Sequence, residues 1–174
     1  MEKVAGNIAI VLLGLLAWLS AGTVQGQQGA GRFQAQIRAT ATVVDNIDLL
    51  TIRDLYISQP PLGDSVVLIS PIRSEQAALM LATGLPDAQI RITYILDERL
   101  EEREERIGEI GITYLLSFAE EDTQPQSLQL DVGEAILRLS PKGELYFWLG
   151  ASMDLRRAVP GVYESEFIME IEYI

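Results

Sequence analysis

The sequence predicts an all-β fold, an antiparallel β-sandwich of about nine strands, and three observations support this prediction. Runs of alternating apolar and polar residues recur roughly every 10 to 15 residues, separated by Gly, Pro, Asp and Asn. Amphipathic segments that would form crossover helices between parallel strands are missing from the sequence. At 174 residues, 48% of them apolar, the chain is long enough for one sizeable core. We therefore predict a single sandwich domain over residues 33–174.

The N-terminal segment differs in composition from the rest of the chain. Lys3 precedes an unbroken apolar run of 12 residues, 8–19, and small and polar residues follow that run. The run has the length of a signal-peptide helix, because a membrane span needs about 20 apolar residues. We predict a signal peptide over residues 1–26 and a flexible, Gly- and Gln-rich lead over residues 27–32. An uncleaved membrane anchor over residues 4–24 is the alternative.

Export through the inner membrane follows from the signal-peptide prediction. Val24 and Gly26 suit the −3 and −1 positions of a cleavage site before Gln27, and Ala21 offers a second end point. The mature protein is then expected in the periplasm, at the cell surface or outside the cell. It contacts a membrane only through the signal segment.

Composition argues against several classes of function. The net charge of −12 disfavours nucleic acid as a partner, because phosphate contacts need clustered Lys and Arg. The chain has neither His nor Cys, so thiol nucleophiles, disulfides, most zinc and copper sites and the usual general base are missing. We therefore predict that the protein is not an enzyme, with no catalytic, cofactor-binding or metal-ligating residues.

The predicted strands follow one another in chain order. Residues 33–43 alternate strictly, which is typical of a half-buried strand. The later strands are predicted at residues 47–57, 65–70, 77–84, 89–96, 108–119, 127–130, 134–140, 144–150 and 162–174. Turn residues separate them at Asp45-Asn46, residues 59–64 and residues 140–143, where Gly143 suits a positive φ.

Two stretches invite a functional interpretation. Residues 97–106, with six acids and three arginines, are interpreted as a solvated hairpin tip or one or two helical turns with internal ion pairs. The spacing of a calcium loop is missing there, and the acidic loop at residues 120–122 is interpreted in the same way. In the aromatic segment 146–148, core packing of Phe147 or Trp148 is the main interpretation, and a carbohydrate-stacking surface is the alternative.

The last strand has the most two-sided pattern. Glu164, Glu166, Glu170 and Glu172 alternate with residues of an apolar face. Four like charges favour a neutral or basic neighbouring strand, and the polar face of residues 33–43 carries Gln, Thr and Arg38. We predict that these two strands lie side by side, within one molecule or between two, with Arg38 near at least one of the glutamates.

Residues 39–173 resemble the bacterial domain-of-unknown-function family numbered 4402, whose members are exported, immunoglobulin-like β domains. The similarity is carried by ATATVVDNIDLLTIRDLYI at 39–57, LATGLPDAQIRITY at 81–94, SPKGELYFWLGASMDL at 140–155 and PGVYESEFIMEIEY at 160–173. Family members often have a Phe-Gly pair where this chain has Tyr56-Ile57. The resemblance implies an immunoglobulin-like sandwich in an exported protein.

The C-terminal strand is similar to that of chaperone–usher pilus subunits, which commonly end with a penultimate Tyr and a Gly fourteenth from the end. Tyr173 and Gly161 hold these positions, although the disulfide common in such subunits is missing. The resemblance implies that residues 33–44 complete the sandwich of the next subunit and that residues 162–174 border the acceptor groove. The implied partners are other copies of the chain or related subunits, with a periplasmic chaperone as escort.

The leading hypothesis is an exported structural or surface protein, a pilus-like or surface-fibre subunit that assembles by donating residues 33–44. The alternative is a self-contained periplasmic or cell-surface immunoglobulin-like binding module whose first strand folds into its own sheet. The residues expected to carry assembly are Phe33, Ala35, Ile37, Arg38, Ala39 and Ala41 in the first strand, and Gly161, Tyr163, Phe167, Met169, Ile171 and Tyr173 in the last.

Overall fold

The computed structural model of the chain describes residues 33–43, 47–58, 65–131 and 133–174. These residues belong to one compact unit and contain twelve strands and one 3-10 turn, Gln124–Gln126. The strands are β1 (Phe33–Val43), β2 (Asp48–Arg53), β3 (Leu55–Ser58), β4 (Val66–Ile69), β5 (Ala78–Thr83), β6 (Gln89–Tyr94), β7 (Asp97–Glu101), β8 (Glu109–Ala119), β9 (Leu128–Leu130), β10 (Glu134–Arg138), β11 (Glu144–Asp154) and β12 (Gly161–Tyr173). The predicted signal peptide and lead, and the predicted turns at Asp45-Asn46 and 59–64, lie outside the described residues.

The all-β sandwich predicted from the sequence is confirmed, because the strands form two sheets of five and seven strands around a common core. The twelve strands exceed the ten ranges predicted from the sequence for two reasons. Asp54 interrupts the second predicted strand, so that β2 and β3 lie in different sheets. The acidic run also contributes a strand, β7, because Leu100 packs into the core with 4% of its surface exposed.

Sheet 1 has the strand order β10–β6–β12–β1–β3. β12 lies at its centre and pairs antiparallel with β6 on one side and parallel with β1 on the other. β3 closes the sheet by pairing antiparallel with the first half of β1. The β1–β12 pair is the one parallel ladder among the described strands.

Sheet 2 has the strand order β2–β5–β11–β8–β7, with two short strands that extend it. β4 pairs with β11 beyond the end of β5, and β9 pairs with β8 beyond the end of β7. The long strands β8 and β11 pair over nine residues and form the centre of this sheet.

The core fills the space between the two sheets, and β11 is covered on its outer face as well. Phe147 faces the other sheet and Trp148 faces away, yet both are almost completely buried. The backbone around Pro71 crosses β11 at Gly150, where an added Cβ would lie 2.8 Å from the Pro71 nitrogen. Gln124 holds this crossing segment in place by donating to the carbonyls of Pro71 and Ser74 at 2.9 and 2.8 Å. The core packing predicted for Phe147 or Trp148 is therefore confirmed for both.

Among the described residues, no helix has the length and apolar character needed to cross a bilayer.

Candidate functional site

The candidate site is the parallel ladder between β1 and β12, which brings the residues expected to carry assembly into one sheet. Phe33 lies opposite Gly161, and the register continues without a break to Val43 opposite Ile171. Alternation in both strands creates this ladder, because a period of two gives each strand one dry and one wet face. The predicted adjacency of the first and last strands is confirmed, and the pairing is within one molecule.

The dry face of the ladder forms a central part of the core. From β1, Ala35, Ile37 and Ala39 are buried, and the ring of Phe33 lies 5.3 Å from that of Tyr163. From β12, the buried side chains are Tyr163, Phe167, Met169 and Ile171. The Phe167 ring packs against Tyr94 of sheet 1 and Tyr114 of sheet 2 at centroid distances of 5.7 and 5.0 Å. Ala41 pairs through its backbone with Met169, and its side chain lies outside the description.

The wet face carries the glutamates of β12, and their basic partners come mainly from other strands. Arg38 stands opposite Glu166 in the register, but the hydroxyl that donates to Glu166 belongs to Thr40. Arg103 donates to both carboxylate oxygens of Glu164 at 2.9 and 3.0 Å. Arg91 of β6 donates to Glu172 at 2.9 Å. Ion pairs thus lie near both ends of β12, at Glu164 and Glu172, and Arg38 stands opposite Glu166 in the register.

Gly161 and a buried carboxylate fix the start of β12. The Glu102 side chain, with 3% of its surface exposed, accepts backbone N–H bonds from Glu104 at 3.0 Å and Glu105 at 2.6 Å. These bonds lower the pKa of Glu102, the Glu104 bond most. An added Cβ at Gly161 would lie 2.7 Å from the Glu102 Oε1, so only glycine leaves room for this carboxylate. The turn that the sequence predicted as solvated therefore contains a buried acid.

Tyrosines anchor β12 at both ends. The Tyr163 hydroxyl donates to the Val159 carbonyl at 3.0 Å and accepts from the Val159 N–H at 2.9 Å. Burial raises the pKa of Tyr163. At the other end, the Tyr173 hydroxyl accepts the N–H of Leu85 at 2.8 Å, beside Gly84. The penultimate tyrosine therefore fastens the last strand to the turn between β5 and β6.

A polar cluster that the sequence analysis did not identify joins the two sheets next to the ladder. Glu98 of β7 accepts hydrogen bonds from the hydroxyls of Tyr114 in β8 at 2.6 Å and Ser165 in β12 at 2.5 Å. The two hydroxyls also contact each other at 2.9 Å. Burial, with the hydrogen bond to Glu98, raises the pKa of Tyr114. The only signal in the sequence was Ser165, the one polar residue among the inward positions of the last strand.

Two kinds of small-ligand site are relevant among the described residues, a metal site and an open depression on the surface. No group of three or more Asp, Glu, His or Cys side chains in the described ranges is arranged to hold a metal ion. The surface depression over Gly111 is flanked by Arg99, Arg156 and Arg157, but Asp154 and Glu109 pair with these arginines.

Comparison of the sequence with protein-family models and with curated proteins finds no match.

Proposed function

We propose that the chain is an exported, non-enzymatic structural protein, a self-contained β-sandwich module of the periplasm or cell surface. The observation that carries this proposal is the position of β1, which completes its own sheet between β12 and β3. Ala35 and Ile37 have no exposed surface in this position. The signal-peptide pattern of residues 1–26 supports export.

The energetics favour a β1 that stays in its own molecule. Withdrawing it would expose the buried Ile37 and, beside it, Tyr163, Phe167 and Ile57. Each such side chain contributes about 1.5–3 kcal/mol when fully buried. Because a domain is stable by only about 5–15 kcal/mol, loss of this strand would remove much of the net stability. The unpaired edges of β12 and β3 would then be open to other strands.

Donation of β1 between copies is the second candidate, and the ladder is compatible with it. β1 and β12 lie at opposite ends of the sandwich sequence and form eleven residue pairs. Because exchange between copies replaces β1 by an identical strand, β1 of another copy would make the same contacts with β12. The acceptor groove would then be bordered by residues 162–174. In this version the chain assembles in the way that the resemblance to pilus subunits implies. Its partners are then other copies of the chain, with a periplasmic chaperone as escort.

A peptide-exchange experiment separates the two versions. The full chain and a variant in which residues 1–26 are joined directly to Asp45 are produced in a bacterium and recovered from its periplasmic fraction. A labelled peptide of residues 32–44 is added to each, with an Ile37→Asp peptide as the matched control. For a self-contained module, we expect only the shortened chain to bind the peptide, and the Ile37→Asp peptide to bind neither.

Three other results would change the proposal. Incorporation of the peptide into polymers of the full chain would favour strand donation. A shortened chain that is a stable monomer and ignores the peptide would contradict both versions, because β1 would then be dispensable. Retention of the full chain in the cytoplasm would contradict export.

A further inference from the structure

The free edge of β10 has a backbone pattern suited to pairing with another strand. β10 lies at the end of sheet 1 and, within the described ranges, pairs with β6 alone. Gly133 accepts from the N–H of Tyr94, and Leu139 donates to Ala88, so the odd-numbered residues of β10 bond to β6. In an antiparallel ladder the residues between them turn their N–H and C=O groups away. Glu134, Ile136 and Arg138 therefore present their backbone groups to the free edge.

The same three residues are complementary to themselves. If a second β10 runs antiparallel with Ile136 opposite Ile136, then Glu134 of each copy lies opposite Arg138 of the other. All three cross-strand pairs are of the hydrogen-bonded type, which gives six backbone hydrogen bonds. Opposite charges at both ends and an apolar pair at the centre each stabilise an antiparallel pairing.

The side chains on this edge are available for such contacts. Ile136 has 58% of its surface exposed on the outer face of sheet 1. Glu134 forms an exposed ion pair with Arg91 at 3.4 Å, in which the Arg91 Nε makes no hydrogen bond, and Arg91 also pairs with Glu172. Arg138 makes no ion pair with another described residue. Arg138 is therefore available to a partner strand, and Glu134, whose side chain stays 65% exposed in its ion pair, can reach one as well.

The edge strands of sheet 2 show the contrast. Self-pairing of β7 around Arg99 would place Asp97 opposite Glu101 at both ends, which is repulsive. β2 has a register shift between Thr51 and Arg53, and such irregularities prevent regular edge pairing. These are common protections of an exposed edge, whereas β10 has a regular ladder and self-complementary charges.

We propose that a second copy of this chain pairs with β10, edge to edge, as a two-fold symmetric antiparallel dimer centred on Ile136. The two sheets 1 then form one continuous sheet of ten strands across the two copies. The interface is small, so the dimer is weak, with a dissociation constant on the order of 100 µM. This dimer is independent of where β1 is placed.

Charge exchange tests the proposal with the full chain, produced through its own leader. Sedimentation equilibrium up to about 1 mM at physiological salt measures the dissociation constant. Glu134→Arg and Arg138→Glu each create two like-charge pairs across the dyad and are expected to weaken dimerisation roughly tenfold or more. The double variant Glu134→Arg/Arg138→Glu restores opposite charges and is expected to dimerise again, which a general loss of folding would not explain.

Two further variants keep the test specific. Ile136→Pro removes an N–H that points to the free edge and leaves the ladder with β6 intact, so it is expected to abolish the dimer without unfolding the chain. Ile168→Lys, which changes another exposed isoleucine of sheet 1, is the matched control and is expected to leave the dimer unchanged. A full chain that is monomeric at 1 mM, or a dimer insensitive to both single charge changes, would overturn the proposal. A dimer that instead takes up the peptide of residues 32–44 would arise from β1 exchange.

Discussion

Tyr163, together with Gly161 and Glu102, holds the start of β12 in place. Its ring is buried against Phe33, while its hydroxyl bonds both the N–H and the C=O of Val159, four residues earlier in the chain. Other β-sandwiches use a comparable tyrosine corner, in which a hydroxyl holds the connection that leads into a strand. Gly108 lies directly against the same hydroxyl, where a Cβ would not fit. One side chain thus aligns the entry to β12 with the start of β8.

We expect Tyr163→Phe to keep the fold and lower the free energy of unfolding by about 1–3 kcal/mol, because the Val159 N–H and C=O lose their partner inside the protein. Urea unfolding followed by circular dichroism measures the difference. Tyr56→Phe is the control, because Tyr56 has 46% of its surface exposed, and its effect is expected to stay within about 0.5 kcal/mol. Equal effects of the two substitutions would show that the Val159 bonds contribute no stability.

At the scale of elements, the β7–β8 hairpin is held by a carboxylate that faces inward. Glu102 follows β7 directly and gathers the N–H groups of the turn, including that of Arg106, which has a positive φ of 56°. The Arg103 N–H then donates to the carbonyl of Val162 at 3.0 Å, which joins the turn to β12. The hairpin end is therefore part of the ladder's support and not a free tip.

We expect the stability of the fold to decrease in acid because of Glu102. Its pKa is lowered in the folded chain by the Glu104 and Glu105 N–H groups. A lowered pKa stabilises the fold above the unfolded value of about 4.3, and this contribution is lost as the pH falls through the folded value. Glu102→Gln is expected to be less stable at pH 7 and to lose less stability as the pH falls below about 4.3. Urea unfolding at a series of pH values measures both.

Gly161→Ala provides a second test of the same turn, because the added Cβ would displace the Glu102 carboxylate. We expect this variant to show the same flatter acid response as Glu102→Gln. Gly111→Ala is the matched control, since a Cβ there meets its nearest atom only at 3.8 Å. The role given to Glu102 would be contradicted if Glu102→Gln and Gly161→Ala both lost as much unfolding free energy in acid as the unchanged chain does.

The strands were predictable to the extent that their sequences alternate. β1 and β12 follow strict period-two patterns, and the charge of β12 predicted its neighbour. Charge pairing does not specify direction, so the parallel pairing of β1 with β12 departs from the antiparallel pairing predicted for the sandwich, and the choice between one molecule and two was left open. β7 was missed because its five residues contain four charges, and only its position beside β8 places Leu100 in the core. Glu102 was missed because its N–H donors are local, at Glu104 to Arg106, whereas its burial depends on Gly161, which is distant in sequence.

At the scale of the whole molecule, tyrosines connect the two sheets and the strands within them. Tyr114 reaches across to β12 through Glu98 and Ser165, and Tyr94 packs on Phe167 from the neighbouring strand. Within the described residues the Tyr94 hydroxyl is buried without a hydrogen-bond partner. Burial is the largest cause of the raised pKa at Tyr94, Tyr114, Tyr146 and Tyr163. The folded chain therefore resists ionisation at four of its six tyrosines.

Because the fold raises the pKa of these tyrosines, we expect the folded chain to lose stability in alkali. A phenol whose pKa is raised in the folded chain contributes stability fully below its unfolded pKa of about 10, and this contribution is lost as the pH rises further. Lysine adds little to the effect because the chain has only Lys3 and Lys142, and arginine does not titrate in this range. The free energy of unfolding, measured in urea from pH 8 to 11.5, is therefore expected to fall above about pH 10.

Tyr114→Phe tests the contribution of the tyrosine between the sheets. This variant should be less stable at pH 7, since Glu98 loses a hydrogen-bond donor, but its free energy of unfolding should fall less steeply in alkali. Two results would contradict this prediction: a free energy of unfolding that stays constant to pH 11.5, or an alkaline decrease that Tyr114→Phe leaves unchanged. Either would mean that Tyr114 ionises freely and that its cluster with Glu98 and Ser165 does not hold the two sheets together.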